Sequence, residues 1–153
     1  HAGDPAKVVL YFEGGGACFS KDTCDPDGNP TYSVVSDTSA DALAERFKGA
    51  GAVRASGFEE VEGAFDVIIN ATSASLSSSV PPIPPQAFCT GTLALDMMYG
   101  KQPTVFMEFA AKHGAQVRDG LGMLVEQAAE AFSTWRGVRP ETRGVLLHMR
   151  SSL

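Results

Sequence analysis

Three absences narrow the chemistry of this 153-residue chain before any motif is read. It has no block of basic residues: 12 Lys and Arg stand against 18 Asp and Glu, for a net charge of −6. Phosphate-driven nucleic-acid binding and attachment to an anionic membrane surface are therefore not expected. No apolar run approaches the roughly 20 residues that a spanning helix needs. Cysteine is scarce. Cys18 and Cys24 lie close together and Cys89 far away, with no second pair and no His-x-x-x-His beside them. Neither a disulfide framework nor a zinc site is expected from that pattern. A Cys18–Cys24 bridge would close a short loop; reduced, partly buried thiols are the other reading. A secretory signal and an initiator Met are also lacking, and His1 leads us to expect a processed, trimmed or engineered start.

What is present suits one soluble globular domain, 44% hydrophobic and 20% charged. The length is enough to bury roughly two thirds of the surface of the unfolded chain. We expect a single cytoplasmic domain spanning 1–153.

Apolar patterning gives the expected elements. Lys7–Phe12 (KVVLYF) reads as a strand buried on both faces, stopped by Gly14–Gly16. The stretch to Pro30 is turn-rich, and Tyr32–Val35 is a short strand. Ser39 caps a helix through Lys48, with Gly49 just beyond. Ala52–Ala55 is a weak strand and Phe65–Asn70 (FDVIIN) a strong one. A Ser- and Pro-rich loop follows from Ser73 to Pro85, where the prolines oppose regular structure. Thr92–Asp96 (TLALD) is another strand, and Pro103 opens a helix that Gly114 ends. Asp119–Trp135 is the clearest helix, with Leu121, Leu124, Val125, Ala128, Phe132 and Trp135 on one apolar stripe and Gly137 at its end. Pro140 opens a last short helix with Val145, Leu146 and Met149 inward.

Strands alternating with helices imply an α/β fold: a three-layer, mostly parallel, Rossmann-like sheet with an incomplete or replaced first βα unit. Such sheets bind ligands beyond the carboxyl ends of their strands. Attention therefore falls on the loops after Phe12, Ile69 and Leu95. In INATS, Asn70, Thr72 and Ser73 offer polar side chains and free amides to a ligand, or form a turn that satisfies its own backbone. In LALDMMYGK, Asp96, Met97, Met98 and Tyr99 reach a strand end. Met97 and Tyr99 suit either the wall of a flat-ring site or plain packing with a surface Tyr. In RDGLGMLVEQAAEAF, Asp119 can cap the helix, and Gly120 and Gly122 admit a close neighbour. Met123 and Gln127 share a face, as ligand contacts or as ordinary half-buried side chains.

INATS, DMMYGK and DGLGMLVEQAAEAFSTWRGVRP, in this order and spacing, resemble the C-terminal half of shikimate dehydrogenase, over about Ala40–Arg150. The resemblance implies NADP-dependent reduction of 3-dehydroshikimate to shikimate. It implies that Asn70, Ala71, Thr72, Ser73, Met97 and Gly120 lie along the cofactor, Met97 flanking the nicotinamide, and that Tyr99, Met123 and Gln127 face the substrate. The family's substrate-binding Ser pair and catalytic Lys–Asp pair belong to an N-terminal domain with no counterpart in this chain. We therefore expect no catalytic residue here and no turnover by this chain alone. The family's Gly-Ala-Gly-Gly-Ala phosphate turn and its Asn-Arg-Thr are also missing. Where the latter would fall stand Ser36, Asp37 and Thr38, and an acidic Asp37 favours the bare ribose of NAD over a 2′-phosphate.

The opening VVLYFEGGGACFSKDTC resembles, over about Lys7–Tyr32, the strand and oxyanion turn of the pectin acetylesterase and Notum group of α/β-hydrolases. An oxyanion turn needs a nucleophile, and no Gly-x-Ser-x-Gly elbow accompanies it, nor do His1, His113 and His148 have evident Ser and Asp partners. The expectation is a nucleotide-binding-like domain, 39–153, joined to a hydrolase-like segment, 1–38. The alternatives are a chimera without natural activity and an esterase fragment. Its partners would be a small molecule at most and a second copy of itself.

Overall fold

In the computed structural model the described residues are 8–11, 45, 56–72 and 74–153. Four strands, β1 (Val8–Tyr11), β2 (Val67–Asn70), β3 (Leu93–Asp96) and β4 (Gln116–Arg118), form one sheet in the order β1-β2-β3-β4. Every pairing is parallel. Three α-helices follow the later strands: α1 (Val105–Lys112), α2 (Leu121–Arg136) and α3 (Arg143–Ser152). The architecture is the expected Rossmann-like α/β sheet. Glu45 is helical, within the helix expected from Ser39 to Lys48. The glycine turn, Cys18, Cys24, Asp37, the Tyr32–Val35 and Ala52–Ala55 strands and the rest of the Ser39–Lys48 helix lie outside the described residues. Among the described residues no helix is long and apolar enough to cross a membrane.

Register places Ile68, Ala94 and Val117 side by side, with Asn70 beside Asp96 one pleat further on. Ile68 and Ala94 are fully buried in one cluster with Phe106, Met107 and Ala110 of α1. The other face is less covered: Val67, Ile69 and Leu95 are half-buried, and Leu93 is exposed. The apolar composition of FDVIIN and TLALD suggests strands buried on both faces, but β2 and β3 alternate instead.

The Ser- and Pro-rich connection is more ordered than its prolines suggest. It opens with a 3₁₀ turn, Ala74–Ser77. The Ser79 N–H donates to the Ala74 carbonyl (3.0 Å) and the Ser78 N–H to that of Ser75 (3.3 Å), with Ser78 itself at φ +53°. That is a Schellman-type ending with serine where glycine is usual. A second 3₁₀ turn, Pro85–Ala87, starts on proline at a position where no N–H is needed. Between and after these turns Ile83, Ala87 and Phe88 drop into the core, and Phe88 meets Phe109 edge to face at 5.7 Å.

Helix starts differ from the reading of the sequence in three places. The Thr104 hydroxyl accepts from the Met107 N–H (3.3 Å), so Thr104 is the cap of α1, and Pro103 precedes the cap rather than opening the helix. Gly120, not Asp119, is the cap residue of α2. Strand β4 has only one apolar residue, Val117, and pairing with β3 makes it a strand. Gly137 ends α2 at φ +71°, as expected of a glycine there. The apolar stripe of α2 is buried only in part: Leu121, Val125 and Ala129 are buried, whereas Ala128, Phe132 and Trp135 are exposed. Helix α3 starts at Arg143, not Pro140. It buries no residue fully; Leu146 and Met149 are half-buried and Val145 is exposed.

Candidate functional site

The carboxyl ends of β2 and β3 close with the same device. Each ends in an Asn or Asp whose side chain accepts the N–H two residues on. Asn70 Oδ1 takes the Thr72 N–H at 3.1 Å, and Asp96 Oδ1 takes the Met98 N–H at 3.0 Å. These are Asx turns, which let a short polar side chain replace the ladder partner that the strand has lost. Asn70 and Asp96 are direct register partners, and both are fully buried. Further hydroxyls complete the network. Thr72 Oγ1 donates to Asn70 Oδ1 (2.7 Å) and accepts from the Ala74 N–H (3.2 Å). Ser75 Oγ and Thr104 Oγ1 both donate to Asp96 Oδ2, at 2.7 and 2.5 Å. A buried carboxylate is costly unless it is hydrogen-bonded, and this one has three donors.

A third element joins at Gly120. Its N–H donates to the Met98 carbonyl at 3.0 Å, and a Cβ at this position would lie 1.9 Å from the Met97 carbonyl oxygen. No side chain fits there, so glycine is required by close approach of two backbones. At Gly122 a Cβ would meet nothing. The Met97 N–H in turn donates to the Asn70 carbonyl at 3.0 Å. Asn70, Met97 and Gly120, drawn from three separate motifs, are therefore contiguous through their backbones.

Their side chains have different surroundings. Asn70 and Thr72 turn inward and are committed to each other. Ala71 is half-buried, and Ser73 lies outside the described residues. Met97 and Tyr99 are exposed at the strand end, 39% and 40%. Met123 is half-buried one turn into α2, and Gln127 is exposed one turn further along the same face. The backbone junction unites Asn70, Met97 and Gly120, while Gln127 stands exposed about two turns further along α2, at the 1.5 Å rise per residue roughly 10 Å from Gly120. Trp135 is 79% exposed and, at the 1.5 Å rise per residue of a helix, roughly 22 Å from Gly120.

Sequence reasoning passed over Ser75 and Thr104 and gave Asp96 no role. The signal was an Asx residue closing each of the two strongest strands, with hydroxyl residues a few positions on. Beside this network an open groove is lined by Lys101, Gln102, Arg118, Asp119 and Arg150, among others. Arg150 of α3 grips Asp119 with two hydrogen bonds of 2.6 Å each. The Arg150 guanidinium holds the Asp119 carboxyl below its ordinary value, against a smaller opposing effect of burial. Asp119 thus ties α3 to the start of α2, and its contact to the Leu121 N–H is long, 3.4 Å. Among the described residues no three His, Cys, Asp or Glu side chains are grouped to hold a metal.

A parallel sheet with adjacent polar turns at its carboxyl edge, abutted by a glycine-started helix, defines a Rossmann-like domain of the nucleotide-binding type. The match is more particular than that. The family model for the shikimate 5′-dehydrogenase C-terminal domain matches residues 120–146, the start of α2 through the start of α3. The chain is 57% identical over 125 residues to the shikimate dehydrogenase (NADP(+)) of Herminiimonas arsenicoxydans, covering 82% of this chain and 44% of that protein. It is 48% identical over 160 residues to that of Cupriavidus taiwanensis, covering 96% of this chain and 54% of that one. Among solved structures, the Ael1 enzyme from Pseudomonas putida matches at 48% identity and a TM-score of 0.63, over 72% of this chain and 42% of that one. A shikimate dehydrogenase in complex with NADP+ matches at 25% identity and a TM-score of 0.59, over 76% of this chain and 42% of that one. The chain carries a shikimate-dehydrogenase-like C-terminal domain. It spans about half the length of the curated relatives it matches.

Proposed function

We propose that this chain is the nucleotide-binding half of an NADP-dependent oxidoreductase that interconverts 3-dehydroshikimate and shikimate. The observation that carries the reading is the backbone junction of Asn70, Met97 and Gly120, because it unites the three stretches by which the chain resembles its relatives. The residues suit the cofactor in a particular way. The Asn70 amide is engaged internally, so the loop from Ala71 to Ser73 would meet NADP with its backbone and with Ser73. Met97, exposed and polarisable at the strand end, would lie against the nicotinamide. Tyr99, Met123 and Gln127 would face the substrate, and Gly120 would keep the start of α2 close to both. Bound NADPH supplies the hydride; the proton for the carbonyl oxygen would come from residues of the enzyme outside this chain. NADP is preferred to NAD because the relatives cited carry NADP(+) in their names. Cytoplasmic location belongs to the same proposal.

The hydrolase likeness of residues 7–32 has a place in this reading: a hydrolase-type strand standing in for the first strand of a nucleotide domain. Strand β1 running parallel beside β2 is the arrangement such a replacement needs. Hydrolysis of a chromogenic acetyl ester above the buffer rate would favour an esterase instead.

Calorimetric titration of the chain with NADP+ and NAD+ tests the proposal. Calorimetry is preferable to tryptophan fluorescence, because Trp135 is remote from the junction. Saturable heat with NADP+ is expected; no heat with either nucleotide would overturn the reading.

A further inference from the structure

We infer that Asp96 is a positioning residue for the nucleotide-facing loop after β2, acting through Ser75; this rests on the nucleotide-binding reading above. The geometry is specific. Ser75 Oγ donates to Asp96 Oδ2 at 2.7 Å and lies 3.5 Å from Asn70 Nδ2, so one hydroxyl links the two Asx turns. Asp96 is fully buried and Ser75 half-buried, with Ser75 next to Ala74, whose N–H is held by Thr72. The other oxygen of Asp96 fixes the Met98 N–H, and hence the peptide that displays Met97. A single carboxylate thus sets the loop on one strand end against the exposed methionine on the next. Carboxylate hydrogen bonds are short and strongly directional, which suits a group that fixes relative position. Thr104 uses the same oxygen but leads away from the junction, into the cap of α1.

That division supplies the test. Ser75→Ala and Thr104→Val each remove one hydroxyl donor from the same oxygen. A purely structural Asp96 predicts similar melting losses and no difference in nucleotide affinity. A positioning Asp96 predicts that Ser75→Ala weakens NADP+ binding about tenfold and speeds hydrogen exchange of the Thr72 and Ala74 amides, while Thr104→Val leaves both unchanged at comparable melting loss. Circular dichroism confirms that each variant is folded. Should Ser75→Ala fail to fold, Ser75→Cys keeps a weak donor and carries the same two measurements, with a smaller shift in the same direction. Equal binding and equal exchange in wild type and the Ser75 variant overturn the inference alone. Failure of the wild-type chain to bind either nucleotide overturns the functional reading and this inference with it.

Discussion

The strand-end junction and the outer half of α2 with α3 are held in unlike ways. At the junction every polar group named has a partner: Asn70, Asp96 and Thr72, all buried, form one network with the half-buried Ser75 and Thr104. In the outer helices Phe132, Trp135, Val145 and Leu147 are 45–79% exposed. What fixes that region is ionic and wet: Arg139 bridges Glu126 and Glu130, and Arg150 bridges Asp119. The Thr142 hydroxyl and Arg139 together hold Glu126 below its ordinary pKa. A helical apolar stripe therefore says that a face is suited to burial; it does not say how much of it is buried within one chain.

Substitutions sharpen this contrast by their size. Gly120→Ala should cost the most, about 3 kcal/mol in urea unfolding, because the new methyl meets a backbone carbonyl that cannot rotate away. A cost below about 1 kcal/mol would mean that the junction is looser than drawn. Asp96→Ala should cost roughly 2–3 kcal/mol by leaving three partly buried donors without their acceptor. Ser78→Gly should stabilise by about 1 kcal/mol, since it relieves a left-handed serine in a turn that glycine fits.

In the outer region effects should be smaller. Arg150→Met should cost about 0.5–1 kcal/mol at neutral pH, the range of a well-formed but partly exposed pair. Asp119 has a lowered pKa in the folded state, so its contribution is present above the ordinary carboxylate value of about 4 and is lost as pH falls through the folded value. The wild type and Arg150→Met should therefore converge in melting temperature in strong acid. Trp135→Ala should change stability by no more than about 0.5 kcal/mol. A loss of 2 kcal/mol would show that something covers this face in solution and would erase the contrast.

The same contrast governs what the sequence made legible. FDVIIN and TLALD were readable as strands from their apolar runs and the Leu121 helix from its apolar period, because both are local signals. β4 was not, since QVR becomes a strand only when β3 offers its edge. Nor was the Ala74–Ser77 turn, whose order comes from hydroxyls at Thr72 and Ser75 rather than from propensity. Asn70, Met97 and Gly120 could be named from motifs, but their junction is made by backbone groups, which carry no residue code. Asp96 was visible as a strand-end residue; its three donors come from positions 75, 98 and 104, too far apart for spacing alone to suggest.

The missing side chain at Gly120 also constrains motion. With the Met97 carbonyl packed against the Gly120 backbone and the Met98 carbonyl accepting the Gly120 N–H, the strand-end peptides have no room to move towards the helix behind them. A displacement of Met97 in that direction requires the first turn of α2 to give way.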